Sequence, residues 1–196
     1  MRRLMAIVAA VVVVLLGAGI TGMALAHSDD RPGWGRHPMS TSGWVDGSMM
    51  GSARSTDEAG YLSEMVAHHR EAIVAAGELI RSDRPAMRAF GRRIVADQTA
   101  QIELMQGWLA EWYAGERDAA YAPMMRDLSG LSGVALDRAF LDNMIGHHMA
   151  AVMMSQQLLM GGLAEHREVV ELARTIRDDQ RVEIRWMHAA RSPLDR

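Results

Sequence analysis

The chain has 196 residues, with 21 basic side chains against 24 acidic ones, no cysteine and a formal net charge of −3. Without cysteine there are no disulfides and no zinc–thiolate or iron–sulfur centres, and the acidic balance lacks the basic footprint that nucleic-acid binding requires. Methionine, by contrast, is over-used at 17 residues; its soft, flexible side chain either fills a core or offers thioether sulfur to a metal.

Arg2 and Arg3, the apolar run over residues 4–16 and the Ala24-Leu25-Ala26 word have the layout of an export signal: a charged start, an apolar centre and a small-residue cut. Residues 1–26 therefore read as a signal peptide, or as a membrane anchor if left uncut, since the apolar stretch is long enough to span a bilayer. Either way the remainder is expected outside the cytoplasm, whether secreted, held in the cell envelope or anchored facing outward. An oxidising compartment favours Met and His over thiols as metal ligands, because thiols there are lost to disulfides. Residues 27–56 are rich in Gly, Ser, Asp and Pro and read as a flexible linker. They carry His27, His37, Met39, Met49 and Met50, so a loose metal-gathering tail is the other reading.

From Thr56 the pattern is helical. Leu62, Met65, Val66, His69, Ile73, Ala76 and Ile80 recur at helical spacing, with Glu64, Arg70, Glu71, Glu78 and Arg81 on the other face. Thr56 or Asp57 is the predicted N-cap. Ser82-Asp83-Arg84-Pro85 interrupts the helix, and Pro85 is placed to open the next one, whose stripe is Phe90, Ile94, Gln98, Ile102, Met105, Leu109 and Trp112. Residues 114–133 form a connection, a third helix is predicted over 136–160, Gly161-Gly162 turns the chain, and a fourth helix runs over 165–190. The predicted fold is all-α: a four-helix bundle over 57–190 built from two antiparallel hairpins, 57–113 and 134–190.

The hairpins share two words. Met65-Val66-Ala67-His68-His69 returns in the second hairpin as Met144-Ile145-Gly146-His147-His148, each copy preceded one turn upstream by an aromatic, Tyr61 or Phe140. Asp97-Gln98, Ile102 and Met105 return as Asp179-Gln180, Ile184 and Met187, at a slightly larger offset that fits a short insertion in the second turn. This is the mark of an internal duplication, and one that keeps His, Met and Gln rather than Leu and Ala alone. Residues equidistant from a hairpin turn lie side by side, so each Met-His-His face is expected level with its own Gln and Met stripe.

The candidate metal ligands are Met65, His68, His69, Met105, Met144, His147, His148 and Met187. Imidazole plus thioether, with no thiolate and no matched carboxylate, suits copper, and Cu(I) above all. Gln98 and Gln180 are amides on apolar stripes that need hydrogen-bond partners; a histidine N–H is the expected one, which would fix the tautomer of the ligand. Only the second copy carries Met149 and Met153, with Met160 two turns on, along the face expected to be polar. That strip reads as a Cu(I) relay, or as a docking face for a copper-handling protein or a second copy of the chain. Met154 shares a face with His147 and is a further auxiliary donor. His166 and His188 have no histidine counterpart in the first copy and rank behind.

A carboxylate di-iron site is not expected: Glu-x-x-His is missing from both copies, and Glu64, Glu71 and Glu103 correspond to Asn143, Ala150 and Arg185. No base–nucleophile pair stands out, so a binding protein is expected rather than an enzyme. The competing reading is a structural or protein-interaction module whose histidines are packed in the core and hold no metal.

Aromatic-Leu-x-x-Met-x-x-His-His followed by Asp-Gln-x-x-x-Ile-x-x-Met resembles the domain-of-unknown-function family numbered 305, over about residues 57–190. The resemblance implies an exported, ferritin-like helical bundle, some relatives of which bind copper or silver outside the cytoplasm. It further implies that Met65, His68, His69, Met144, His147 and His148 are the metal-binding positions.

Overall fold

The computed structural model describes residues 55–115 and 121–195. The export signal and the linker bearing His27, His37, Met39, Met49 and Met50 lie outside the described residues. Helix α1 spans Glu58–Gly77 and is capped by Asp57, whose Oδ1 accepts the Gly60 N–H at 2.8 Å, satisfying a donor that has no intrahelical partner. A single 3-10 turn, Glu78–Arg81, extends it to the Ser82 break. Helix α2, Pro85–Trp112, opens on its proline as predicted. Helix α3, Gly133–Gly161, ends on Gly162 at φ 63°, a left-handed position that glycine adopts without strain. Helix α4, Arg167–Arg191, runs into a last 3-10 turn, Ser192–Asp195. Among the described residues there is no strand, and no helix is long and apolar enough to cross a membrane.

Helices α1 and α2 pair as one hairpin and α3 and α4 as the other, with α1 lying against α3. The apolar core divides in two. One cluster joins Ala72 and Ala76 of α1 and Leu79 of the 3-10 turn after it to Phe90 and Ile94 of α2, Phe140 and Met144 of α3, and Ile184 and Met187 of α4. The other joins Tyr61, Leu62 and Met65 of α1 to Ile102 and Met105 of α2, Leu158 of α3, and Val169 and Ile176 of α4. On every helix the residues between the two clusters include the buried polar ones: His68, His69, Gln98, His147, His148 and Gln180.

Each end of the bundle is tied by a buried acid. Glu58 is fully buried; its Oε2 accepts the N–H groups of Glu165 and His166 at 2.6 and 3.0 Å, and its Oε1 meets His166 Nδ1 at 2.7 Å and the Tyr113 hydroxyl at 3.1 Å. The carboxylate thus holds the chain entering α4, where helix N-termini favour negative charge. At the other end Asp137, equally buried, lies 3.7 Å from the guanidinium of Arg84, the residue before α2. Glu58 and Asp137 are separated by the same offset as His68 and His147, and Arg84 and His166 by the same offset as Gln98 and Gln180. The two ties therefore occupy corresponding positions of the repeat, and His166 serves as an end-tie rather than as part of the histidine layer.

Helix α2 approaches α1 closely at Gly91. A Cβ built there would stand 2.6 Å from the Ala76 carbonyl oxygen and 2.9 Å from Leu79 Cβ, both fixed by α1 and its 3-10 turn. Gly107, on the same helix, has nothing within 4 Å of such an atom. Gly91→Ala is expected to lower stability by about 1–3 kcal/mol through overpacking. Gly107→Ala should raise it by about 0.5–1 kcal/mol by restricting the unfolded chain and favouring helix. Urea unfolding of the two variants checks both signs.

Candidate metal centre

The four repeated histidines gather in one layer rather than in two separate hairpin sites. His68 of α1 and His147 of α3 stack with ring centroids 3.6 Å apart and planes inclined by 31°. His69 and His148 flank this pair, each 6.2 Å from its sequence neighbour. All four are buried, none more than 1% exposed. They fall there because adjacent helical residues point about 100° apart: one member of each pair meets the opposite hairpin and the other meets its own.

What holds each ring determines its chemistry. His68 Nε2–H donates to the His147 carbonyl at 3.0 Å. His69 Nε2–H donates to Gln101 Oε1 at 2.7 Å, and His148 Nε2–H to Glu183 Oε2 at 2.8 Å. A carbonyl and a carboxylate only accept, and so does the amide oxygen, so these contacts assign the proton to Nε2. The lone pair is then left on Nδ1. In all four histidines Nδ1 is buried and has no hydrogen-bond partner. A bare buried acceptor costs about 1–3 kcal/mol, and such a group calls for an ion, a water or a functional reason.

His147 differs from the others. Its Nε2 lies 3.2 Å from Glu71 Oε2, a close contact without good hydrogen-bond alignment. The Glu71 carboxylate is occupied chiefly by the connection between the hairpins: it accepts the Tyr121 hydroxyl and the N–H groups of Met124 and Met125 at 2.8 and 2.7 Å. Burial works against its charge, but the close His147 ring and the hydrogen bonds from Tyr121 and Met125 prevail and hold its pKa down to about 2. Tyr121 also sets its ring edge-on to His68 at 6.0 Å, so the connection covers the histidine layer on this side.

Burial pushes His68 well below the ordinary imidazole range, and the neighbouring His147, His69 and His148 push further the same way. For His69 burial again dominates; the Gln101 hydrogen bond opposes it, His147 and His148 add to it, and the pKa falls to about 3. His147 is lowered by burial despite the opposing Glu71. These rings are neutral near pH 7, with lone pairs free to coordinate.

Met65, Met105, Met144 and Met187 are fully buried, but they divide: Met65 and Met105 lie in one apolar cluster, Met144 and Met187 in the other. Thioethers thus flank the histidine layer on both sides, with Met65 and Met144 one helical turn before their histidines. Met154 packs against the cluster of Met65. Met149, Met153 and Met160 are exposed by 45, 49 and 84%. Among the described residues no three His, Asp or Glu side chains converge on one point, so any ion held here would draw on few imidazoles at a time, completed by sulfur.

The glutamines require a correction. Gln98 and Gln180 are buried, yet the Oε1 of each accepts no hydrogen bond; the partners of His69 and His148 are Gln101 and Glu183, about one helical turn further on. Equal distance from the turn fixes height only to within a turn, because packed helices cross at an angle. The usable signal was the offset of the second word itself, since Gln101 and Glu183 are separated by the same offset as Gln98 and Gln180. Two unmatched carboxylates also reach the layer. Glu71 and Glu183 both reach a histidine, one from each copy but at positions that do not correspond.

Residues 58–191 match the family described as Domain of unknown function (DUF305). Among solved structures, CopM in the Cu(I)-bound form is 29% identical, covers 69% of this chain and 95% of its own, and superposes with a TM-score of 0.60. CopM in the Cu(II)-bound form is 30% identical, with 69% and 96% covered and a TM-score of 0.60. A DUF305 protein from Streptomyces coelicolor shares the fold at 24% identity, a TM-score of 0.64 and coverages of 72% and 95%. No curated protein matches the chain.

The histidine layer makes the fold sensitive to acid. The folded rings of His68, His69 and His147 are held below their ordinary value of 6.5, so on acidification the unfolded chain takes up protons first. Stability is intact above pH 6.5 and falls as pH drops from there toward 3. Each ring contributes a slope of up to about 1.4 kcal/mol per pH unit. The urea midpoint of the metal-free chain is expected to fall steadily between pH 7 and 5, above the range where Glu71 takes part. A flat midpoint across that window would contradict the burial of neutral rings.

Proposed function

This chain belongs to the DUF305 family, and we propose that it binds copper as Cu(I), outside the cytoplasm, for buffering or delivery rather than catalysis. The observation that carries the reading is the set of buried Nδ1 atoms without partners, three of them on rings whose Nε2–H is already committed to an acceptor. A hydrogen bond to the far nitrogen fixes the orientation of a ligating imidazole and raises its basicity. In this reading Nδ1 of His68, His69, His147 and His148 supplies nitrogen, and Met65 and Met144 supply sulfur from the preceding turn. Met105 and Met187 back them from the facing helices. Imidazole and thioether select a soft monovalent ion; Ag(I) shares that character and would occupy the same donors. The similarity to CopM, whose structures include Cu(I)-bound and Ag-bound forms, favours this ion class. The placement outside the cytoplasm rests on the N-terminal sequence, with its charged start, apolar run and Ala24-Leu25-Ala26 word.

A second reading rests on α3 alone. Met149, Met153 and Met160 present thioethers to solvent, which suits either transfer of Cu(I) to a partner or docking of a partner without metal.

Anaerobic titration of residues 27–196 with Cu(I), against a competing chromophoric chelator, tests the proposal. The chain is expected to saturate and to withhold copper from the chelator, and changing all four histidines to Ala should abolish this. Met65→Leu with Met144→Leu keeps the core volume and removes sulfur; it should weaken binding by tenfold or more with little change in melting temperature. Equal retention of copper by the histidine variant, or no competition by the parent chain, would sink the reading.

A further inference from the structure

The four Nδ1 atoms that would take an ion are sealed inside the bundle, so nothing reaches them unless part of the fold opens. The walls of the layer are unequal. The helices meet in apolar clusters on either side of the histidines. The connection between the hairpins has no helix over residues 121–132, and it too lies against the layer, with the Tyr121 ring edge-on to His68 at 6.0 Å.

Two clasps hold this stretch. Glu71 takes the Tyr121 hydroxyl on Oε2 and the N–H groups of Met124 and Met125 on Oε1. Arg81 donates to the carbonyls of Leu131 and Leu128 at 2.6 and 3.0 Å. The Arg81 clasp is backed by apolar burial, since Leu128 belongs to the core and Leu131 packs against the same cluster. The Glu71 clasp has less behind it: Ala122, Pro123 and Met124 are exposed, and Tyr121 and Met125 are half-buried. Segments with few buried apolar contacts open at the lowest cost. The repeat supplies a comparison, because the counterpart of Glu71 is Ala150, whose side chain can accept nothing.

We propose that residues 121–125 form a gate over the histidine layer, latched by Glu71 and hinged at the Leu128 anchor, through which ions enter and leave. Its use for copper rests on the reading given above; the opening itself does not. The latch stands 3.2 Å from His147, so releasing it uncovers the stacked pair of His68 and His147 first. A cavity between α2 and α4 also approaches the layer, but its walls there are Gln101 and Glu183, which occupy the Nε2 atoms of His69 and His148. That side offers no bare nitrogen.

Diethyl pyrocarbonate acylates an imidazole nitrogen that carries a lone pair, so it measures access in the metal-free chain. Mass spectrometry reads each histidine, with the exposed His188 as reference. His68 and His147 are expected to react slowly in the parent. Glu71→Ala should speed them by at least about tenfold, because three hydrogen bonds to a charged acceptor are lost, while His188 is unchanged. Tyr121→Phe removes one bond of the clasp and serves if Glu71→Ala proves unstable; it should speed them by about threefold. Gly91→Ala weakens the whole bundle without touching the gate and should leave them slow. Copper-loaded Glu71→Ala should also surrender Cu(I) to excess chelator at least about tenfold faster than the parent. A parent that holds no copper would sink the copper reading and leave the labelling to decide the gate. Equal labelling of Glu71→Ala and the parent, first reaction at His69 and His148, or equal acceleration by Gly91→Ala would overturn the proposal.

Discussion

A hydrogen bond on the far side of an imidazole decides what the near side can do. His68, His69 and His148 each commit Nε2–H to an acceptor that cannot return a proton, and the bundle then buries the opposite nitrogen with no partner. Everything else in the fold serves that arrangement. The two apolar clusters exclude water on either side of the layer, and the Glu58 and Asp137 ties close the two ends. The hairpin connection is drawn over His147 by Glu71. Burial that lowers the pKa values of His68, His69 and His147 keeps those rings neutral, the state in which a nitrogen is a ligand and not a cation.

The two copies are similar in placement and different in charge. His69 is held by a neutral amide and His148 by a carboxylate. A carboxylate partner makes an imidazole a stronger donor than an amide does, so the half of the layer around His148 is the more electron-rich. Glu71 adds a second asymmetry, because its counterpart is Ala150: His147 has a carboxylate beside its Nε2, whereas the Nε2 of His68 meets a backbone carbonyl. An ion entering the layer would thus meet unequal donors, with both carboxylates set against the two histidines of α3.

The helices, the hinge before Pro85, the Gly162 stop and the burial of every repeated His and Met were legible in the sequence, because periodicity and glycine or proline punctuation are local signals. The meeting of His68 with His147 was not. It depends on how two hairpins cross, and the hairpin register argues only within each one. The same limit misplaced the histidine partners by one turn, onto Gln98 and Gln180 instead of Gln101 and Glu183. Glu71 was hidden for another reason: it sits on the polar stripe of α1, and its task is set by Tyr121, Met124 and Met125, far along the chain in a segment without periodicity.

The measurement that bears most directly on this account is a long-range proton–nitrogen correlation spectrum of the histidine rings near pH 7, in the metal-free chain and after addition of Ag(I). Neutral rings protonated on Nε2 are predicted for His68 and His69 and an Nε2–H for His148, with a displacement of the Nδ1 resonances on adding the ion and the Nε2–H signals retained. Rings protonated on Nδ1, or Nδ1 resonances unmoved by Ag(I), would contradict it.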